Sequence, residues 1–180
     1  MTIGLYVTGS AKPTAPARRV WMKKVNLGQD AQKYRQSRCG SGQALAGTFA
    51  PMQALHHPDA PQAVGPYAQA IVAGGFVFCS GQTPLVPATM RIEALAIEDQ
   101  TRQVLANLAT VLSARGLGLA DIVKTTVFLK NFADFARMNA VYAEAFGAHR
   151  PARTTVEVSR LPLEALVEIE CIAALPTDAC

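Results

Sequence analysis

The segment Asp121–Lys130 (Asp-Ile-Val-Lys-Thr-Thr-Val-Phe-Leu-Lys) constrains the fold more than any other part of this chain. It is rich in β-branched residues and reads as a strand. By the period of two, Val123, Val127 and Leu129 point one way, and Ile122 and Phe128 point the other. A strand that is apolar on both parities belongs in a sheet covered on both faces. The chain offers only two long amphipathic helices, and two helices blanket one side. The opposite face would then expose several large side chains, each costing about 1.5–3 kcal/mol relative to burial. A contiguous apolar patch of that kind marks an interface. The expectation is an obligate homo-oligomer with the bare sheet face turned inward.

The remaining elements follow from periodicity and punctuation. Regular structure is expected to start near Pro61. Gly65-Pro66-Tyr67 signals a turn, and Ala68–Val72 and Phe76–Ser80 flank Gly74-Gly75 as a β-hairpin. Pro84 and Pro87 end the sheet and open a loop. Residues 97–115 predict the first helix. Ile97, Thr101, Val104, Leu105, Leu108, Val111 and Leu112 share one face, Glu98 and Asp99 suit its positive end, and Gly116 stops it. Asn131 is expected to cap the second helix, with Asp134 three residues on in a capping-box-like pair. Phe135, Met138, Tyr142 and Phe146 form its stripe, and Gly147 and Pro151 terminate it. Two final strands are expected near 153–160 and 166–174. The order is ββαβαββ, an α+β fold with a mixed sheet and two helices packed on one face.

The formal net charge of +4 is unevenly spread. Residues 1–55 hold eight Lys or Arg and a single acid, Asp30, whereas residues 56–180 hold nine bases and twelve acids. The folded part therefore has no electrostatic case for nucleic acid. Residues 1–56 show no sustained period and read as a disordered or loosely attached extension. Their poverty in acids resembles an organellar transit segment, and Met52 is an alternative start of the compact sequence. Residues 57–175 form the domain and 176–180 a tail. No run approaches the apolar length that spans a bilayer, so a soluble, cytoplasmic protein is expected. Cys39, Cys79, Cys171 and Cys180 form no CxxC pair, and Cys79 and Cys171 sit in apolar strand patterns as buried free thiols. Gly40-Ser41-Gly42 lacks the Lys and Ser/Thr of a phosphate loop. His56-His57 has no companion ligands for a metal, and His149, after a helix end, reads as a carbonyl cap.

The segment Arg153–Pro162 followed by Val167–Glu170 is the candidate site. Val156 and Val158 fall on one face of a strand, and Arg153, Thr155 and Glu157 on the other. An arginine that opens a strand beside a hydroxyl, with a carboxylate on a nearby strand, is equipped to hold a small carboxylated substrate in a bidentate fork. The bland alternative is a surface salt bridge from Arg153 to Glu157 or Glu168.

Several ordered blocks carry a resemblance. They are Gly65-Pro66-Tyr67-Ala68-Gln69, Ser80-Gly81-Gln82-Thr83-Pro84, Asp121–Leu129, Met138-Asn139 before Tyr142, Pro151-Ala152-Arg153, Val156-Glu157-Val158, Arg160-Leu161-Pro162 and Glu168-Ile169-Glu170. Together, over residues 57–175, they resemble the RidA (YjgF) family of imine/enamine deaminases. The resemblance implies a chorismate-mutase-like fold, a homotrimer with clefts between subunits, and hydrolysis of reactive 2-imino and 2-enamino acids without cofactor or metal. It implies that Arg153 binds the substrate carboxylate and that Glu168 orients or activates the hydrolytic water. It places Tyr67, from a neighbouring subunit, at the closure of the cleft, and Ser80 and Asn139 in its lining. Many family members carry a cysteine where this chain has Thr155, so no thiol nucleophile is available there, and the hydroxyl is expected to hydrogen-bond substrate. Leu85–Ala96 also departs from the usual Gly-containing loop. Two other functions fit the same residues: a trimeric pocket protein that binds a small carboxylate without turnover, and a related deaminase of aromatic or nucleobase breakdown.

Overall fold

The structure, a computed structural model, describes residues 52–176. The readings made for residues 1–51, for Cys39 and Cys180, and for the tail beyond residue 176 lie outside the described residues. Among these residues there are eight strands: β1 (Gln53–Leu55), β2 (Ala70–Ala73), β3 (Phe76–Gln82), β4 (Leu85–Val86), β5 (Arg91–Ile92), β6 (Ile122–Leu129), β7 (Ala152–Glu157) and β8 (Val167–Ala174). Among the described residues two α-helices join them, α1 (Ile97–Ser113) and α2 (Phe135–Phe146). Strands β1-β2-β3-β8-β6-β7 form one sheet in that order, in which β6 and β7 are parallel and every other pair is antiparallel. Stripped of three short strands, this is the expected ββαβαββ order. The three additions are β1, which pairs Gln53–Leu55 with Ala70–Val72, and the small β4–β5 ribbon. The sheet therefore extends into the segment read as an extension, and the stretch after Pro84 is a ribbon as well as a loop.

Both helices pack on one face of this sheet. All seven stripe residues of α1 are buried, from Ile97 to Leu112. They meet Val77 and Cys79 of β3, Val127 and Leu129 of β6, and Val167, Ile169, Cys171 and Ala173 of β8 in a single core. Met138, Tyr142 and Phe146 of α2 join that core, with Phe135 partly buried against it. Two buried amides tie loops to α1. Asn107 Nδ2 donates to the carbonyls of Thr83 and Leu85, at 3.1 and 2.9 Å, and Gln100 joins Ala94 O to Leu166 N. The chain leaves α1 through a turn over residues 114–116, where Gly116 has a φ of +69° that favours glycine.

The helix α2 starts later than its sequence signal suggests. The Asn131 side chain accepts from Ala133 N, but it caps a single 3-10 turn at Phe132–Asp134, and the α-helix begins only at Phe135. The expected capping-box pair does not form, and the Asp134 carboxylate faces Arg137 at 3.5 Å. Nor does His149 cap a helix-end carbonyl with its ring. Nε2 lies 2.7 Å from Ile122 O, and Arg150 reaches the Gly147 carbonyl instead.

The parity of β6 also differs from a regular strand. A register shift against β8 between Ile122 and Lys124 inserts a bulge. Ile122 consequently turns into the core with Thr125, Val127 and Leu129, and Val123 turns out, 42% exposed. The two-faced reading survives with these residues exchanged. The face away from the helices carries the cross-strand row Ile71–Phe78–Ile172–Lys124, with Phe128 and Val156 beside it. Phe76, Phe78, Val123 and Val156 are exposed large apolar residues of this face.

Candidate functional site

Arg153 is the second residue of the edge strand β7, opposite Thr125 in the parallel pairing with β6. Thr125 is fully buried on the helix side, so Arg153 leans toward α2. There its guanidinium lies over the Tyr142 ring, 4.7 Å from the centroid, and 5.7 Å from that of Phe135. Arg153 Nη2 donates to Asn139 Oδ1 at 2.8 Å. The amide acceptor uses one N–H and leaves the remaining donors of the fork. Tyr142 is fixed in turn by a 2.8 Å hydrogen bond between its Oη and Thr125 Oγ1. Burial raises the Tyr142 pKa, so the platform stays a neutral phenol. Arg153, Asn139 and Tyr142 line one pocket of 400 Å³ with Phe146, His149 and Arg150.

The salt-bridge alternative is not what forms. Among the described residues the ion pairs are Arg102–Asp99, Lys130–Glu164, Arg137–Glu98 and Arg137–Asp134, and none involves Arg153. The Glu157 carboxylate accepts from Phe132 N at 2.7 Å and is spent on the start of the 3-10 turn before α2. Thr155, two residues beyond Arg153 and opposite Val127, shares the helix side. Its Oγ1 is buried without a hydrogen-bond partner, which is a costly state for a hydroxyl.

Glu168 lies elsewhere. It pairs with Phe128, which pairs with Val156, and all three point to the open face of the sheet. Within one chain, then, the guanidinium and the carboxylate stand on opposite faces and cannot grip one small molecule. Strand parity fixes this relation once register is known; the spacing of the two segments in sequence does not reveal it. Glu168 lines a larger cleft of 720 Å³ together with Tyr67, Ser80, Gly81 and the apolar side chains of Val64, Met90 and Leu163. Burial, with a smaller contribution from the charge of Glu170, raises its pKa above the ordinary carboxylate value. Glu170, the neighbouring acid on the same face, is exposed.

Tyr67 is half exposed at the rim of this cleft, and its Oη accepts from Val64 N at 3.4 Å. Ser80 is in the lining, but its hydroxyl donates to Ala68 O at 2.7 Å, so that proton is committed to the backbone. Gln69 closes the Gly65–Gln69 block, and nothing in its sequence context marks it as a site residue. It is buried in the same lining and ties the lead-in loop together through His57 N, His57 O and Pro61 O. The His57 ring accepts from Asp59 N, a local turn contact.

The fold and these two pockets define a class: small α+β domains with an arginine–asparagine pocket on the helix side of the sheet and a tyrosine–glutamate cleft on the other. Solved structures share the fold. A Rid-family protein of Yersinia pestis matches with a TM-score of 0.68 at 45% identity, over 69% of this chain and 100% of that one. Escherichia coli TdcF with bound serine matches with a TM-score of 0.66 at 41% identity, over 69% and 99%. Among curated relatives, the RutC family protein PH0854 of Pyrococcus horikoshii is 56% identical over 64% of this chain and 91% of its own. The chloroplastic Reactive Intermediate Deaminase A of Arabidopsis thaliana is 49% identical over 64% of this chain and 62% of its own. Residues 57–175 match the Endoribonuclease L-PSP family, and the chain belongs to this family, the one that includes RidA and YjgF. Deaminase activity is the general function that this membership supports.

Proposed function

We propose that the protein hydrolyses reactive 2-imino and 2-enamino acids, 2-iminobutanoate and 2-iminopropanoate among them, to 2-oxo acids and ammonia. The observation that carries the proposal is Arg153, a guanidinium with no acidic partner among the described residues, held in place by Asn139 and Tyr142. A fork of this kind suits a substrate carboxylate. The serine-bound relative is consistent with a small amino-acid-like ligand.

The reaction needs a second group. Water adds to the C=N carbon, and the resulting carbinolamine expels ammonia as the C=O bond forms. Glu168 supplies the acid–base function: it takes the proton from the attacking water and returns one to the leaving nitrogen. Burial raises its pKa above the ordinary carboxylate value, the direction that suits a group which both takes and returns a proton. Since Arg153 and Glu168 face opposite sides of one sheet, the site is completed by a second subunit. Copies assemble as a homotrimer, the open apolar faces turn inward, and the Arg153 pocket of one subunit meets the Tyr67–Glu168 cleft of the next. Tyr67 closes the cleft over the substrate's aliphatic part, and Thr155 gives its unpaired hydroxyl to the substrate or to the water.

Among the described residues no helix is long and apolar enough to cross a membrane. A cytoplasmic location, where 2-imino acids leave amino-acid dehydratases, fits the reading. The experiment adds the protein to a threonine dehydratase reaction with semicarbazide present. The expected result is less semicarbazone, and Arg153→Ala should lose the effect while the assembly persists. An Arg153→Ala variant that works as well as the parent would exclude this site. Ligand binding by a parent that has no activity would favour a non-catalytic carboxylate-binding protein.

A further inference from the structure

The Glu168 carboxylate stands where one backbone position has no side chain. Gly81 follows Ser80 in β3, and the pairing of β3 with β8 shifts register between Cys79 and Gln82, so a bulge falls at Ser80-Gly81. A Cβ built on Gly81 would collide with Glu168 Oε1 and lie 2.9 Å from Cδ and 3.2 Å from Cγ. All three nearest atoms belong to this one side chain. The backbone does not itself demand glycine, since Gly81 is not among the positive-φ glycines Gly74, Gly75, Gly116 and Gly147. What the position requires is empty space, and the carboxyl group of Glu168 fills it.

We propose that Gly81 is a positioning residue for Glu168: by leaving the Cβ volume vacant at the bulge, it seats the carboxylate in the cleft lined by Tyr67, Ser80 and Leu163. This rests on the proposed hydrolysis, in which Glu168 handles the protons. The physical logic separates two effects. The crowded atoms are the far end of a flexible side chain, so a methyl at position 81 can be accommodated by rotation of Glu168 with the backbone in place. The fold therefore tolerates alanine, and the catalytic group does not. A displacement of about 1 Å at a reacting group is enough for a loss of about 100-fold in rate.

The test uses the full chain with Gly81→Ala, Glu168→Gln and the double variant. Gly81→Ala should keep the parent's melting behaviour, its assembly and its affinity for 2-oxobutanoate measured by calorimetry, while turnover in the semicarbazone assay falls about 100-fold. In the Glu168→Gln background the same change should cost almost nothing further, because Gly81 acts through the lost carboxylate. A second readout is independent of turnover: the titration of the Glu168 carboxyl followed by carbon NMR. In Gly81→Ala it should move down toward the ordinary carboxylate range as the group swings out of the cleft. A titration unmoved by Gly81→Ala overturns the positioning role, as does loss of 2-oxobutanoate binding, which would mean that the methyl blocks the ligand. Unfolding of the variant also overturns it. A parent without deaminase activity whose Glu168 titration still responds to Gly81→Ala would defeat the proposed reaction and leave the positioning intact.

Discussion

Arg153→Lys is the most informative single substitution, because it keeps the charge and removes the geometry. Arg153 holds a 2.8 Å hydrogen bond to Asn139 and lies 4.7 Å above the Tyr142 ring. Both contacts use the planar guanidinium. A lysine ammonium is a point charge on a flexible stem, and it cannot donate two parallel bonds to a carboxylate. Losing one charge-assisted bond costs about 1.5–3 kcal/mol, which is about 10- to 150-fold in affinity. The fold should lose far less. The strand edge is partly exposed, and a cation–π contact there contributes about 0.5–1 kcal/mol. Calorimetric titration with 2-oxobutanoate and urea denaturation of parent and variant measure the two quantities separately. The expected result is weakened binding with a nearly unchanged unfolding midpoint. Parental affinity in Arg153→Lys would refute the fork, and equal losses in binding and in folding would mean that Arg153 is a structural residue.

Two further outcomes follow from the core and the charges. Leu108 is fully buried on the α1 stripe against the sheet, so Leu108→Ala should lower unfolding free energy by about 2–5 kcal/mol in urea denaturation. Glu168 has its pKa raised in the fold, chiefly by burial. The native state therefore holds this proton more tightly than the unfolded chain does. Its contribution to stability is complete below the ordinary carboxylate pKa and is lost as pH rises through the raised value. The stability of Glu168→Gln relative to the parent should accordingly rise with pH over that window, in thermal melts run at several pH values. A difference that is flat with pH would show that Glu168 is not desolvated.

The helices were legible because their signal is redundant. Six apolar residues and Thr101 repeat at helical spacing along α1, and a single Gly116 stops the run just beyond it. The hairpin around Gly74-Gly75 was equally plain, since both glycines adopt positive φ. What escaped the sequence had weak or misleading chemistry. The three-residue strand β1 is too short to show alternation. The β4–β5 ribbon turns with Met90 at φ +53°, where no glycine announces it. The bulge in β6 exchanges Ile122 and Val123, two β-branched residues that look alike to any propensity argument. At the candidate site the residue types were readable and their arrangement was not. Arg153 and Glu168 are separated by the register of β7, β6 and β8, which no local pattern encodes. The unpaired Thr155 Oγ1 and the vacant volume at Gly81 are likewise properties of packing.

That separation makes subunit mixing the most direct trial of a site shared between copies. Arg153→Ala and Glu168→Ala each remove one half of the site and leave the other. In a ring of identical interfaces, each site takes one half from each of two neighbours. Random exchange of equal amounts of the two inactive variants then rebuilds about one site in four. The account predicts that co-refolded or subunit-exchanged mixtures recover about a quarter of parental semicarbazone suppression, while neither variant alone recovers any. Mixtures that exchange subunits and stay inactive would contradict it.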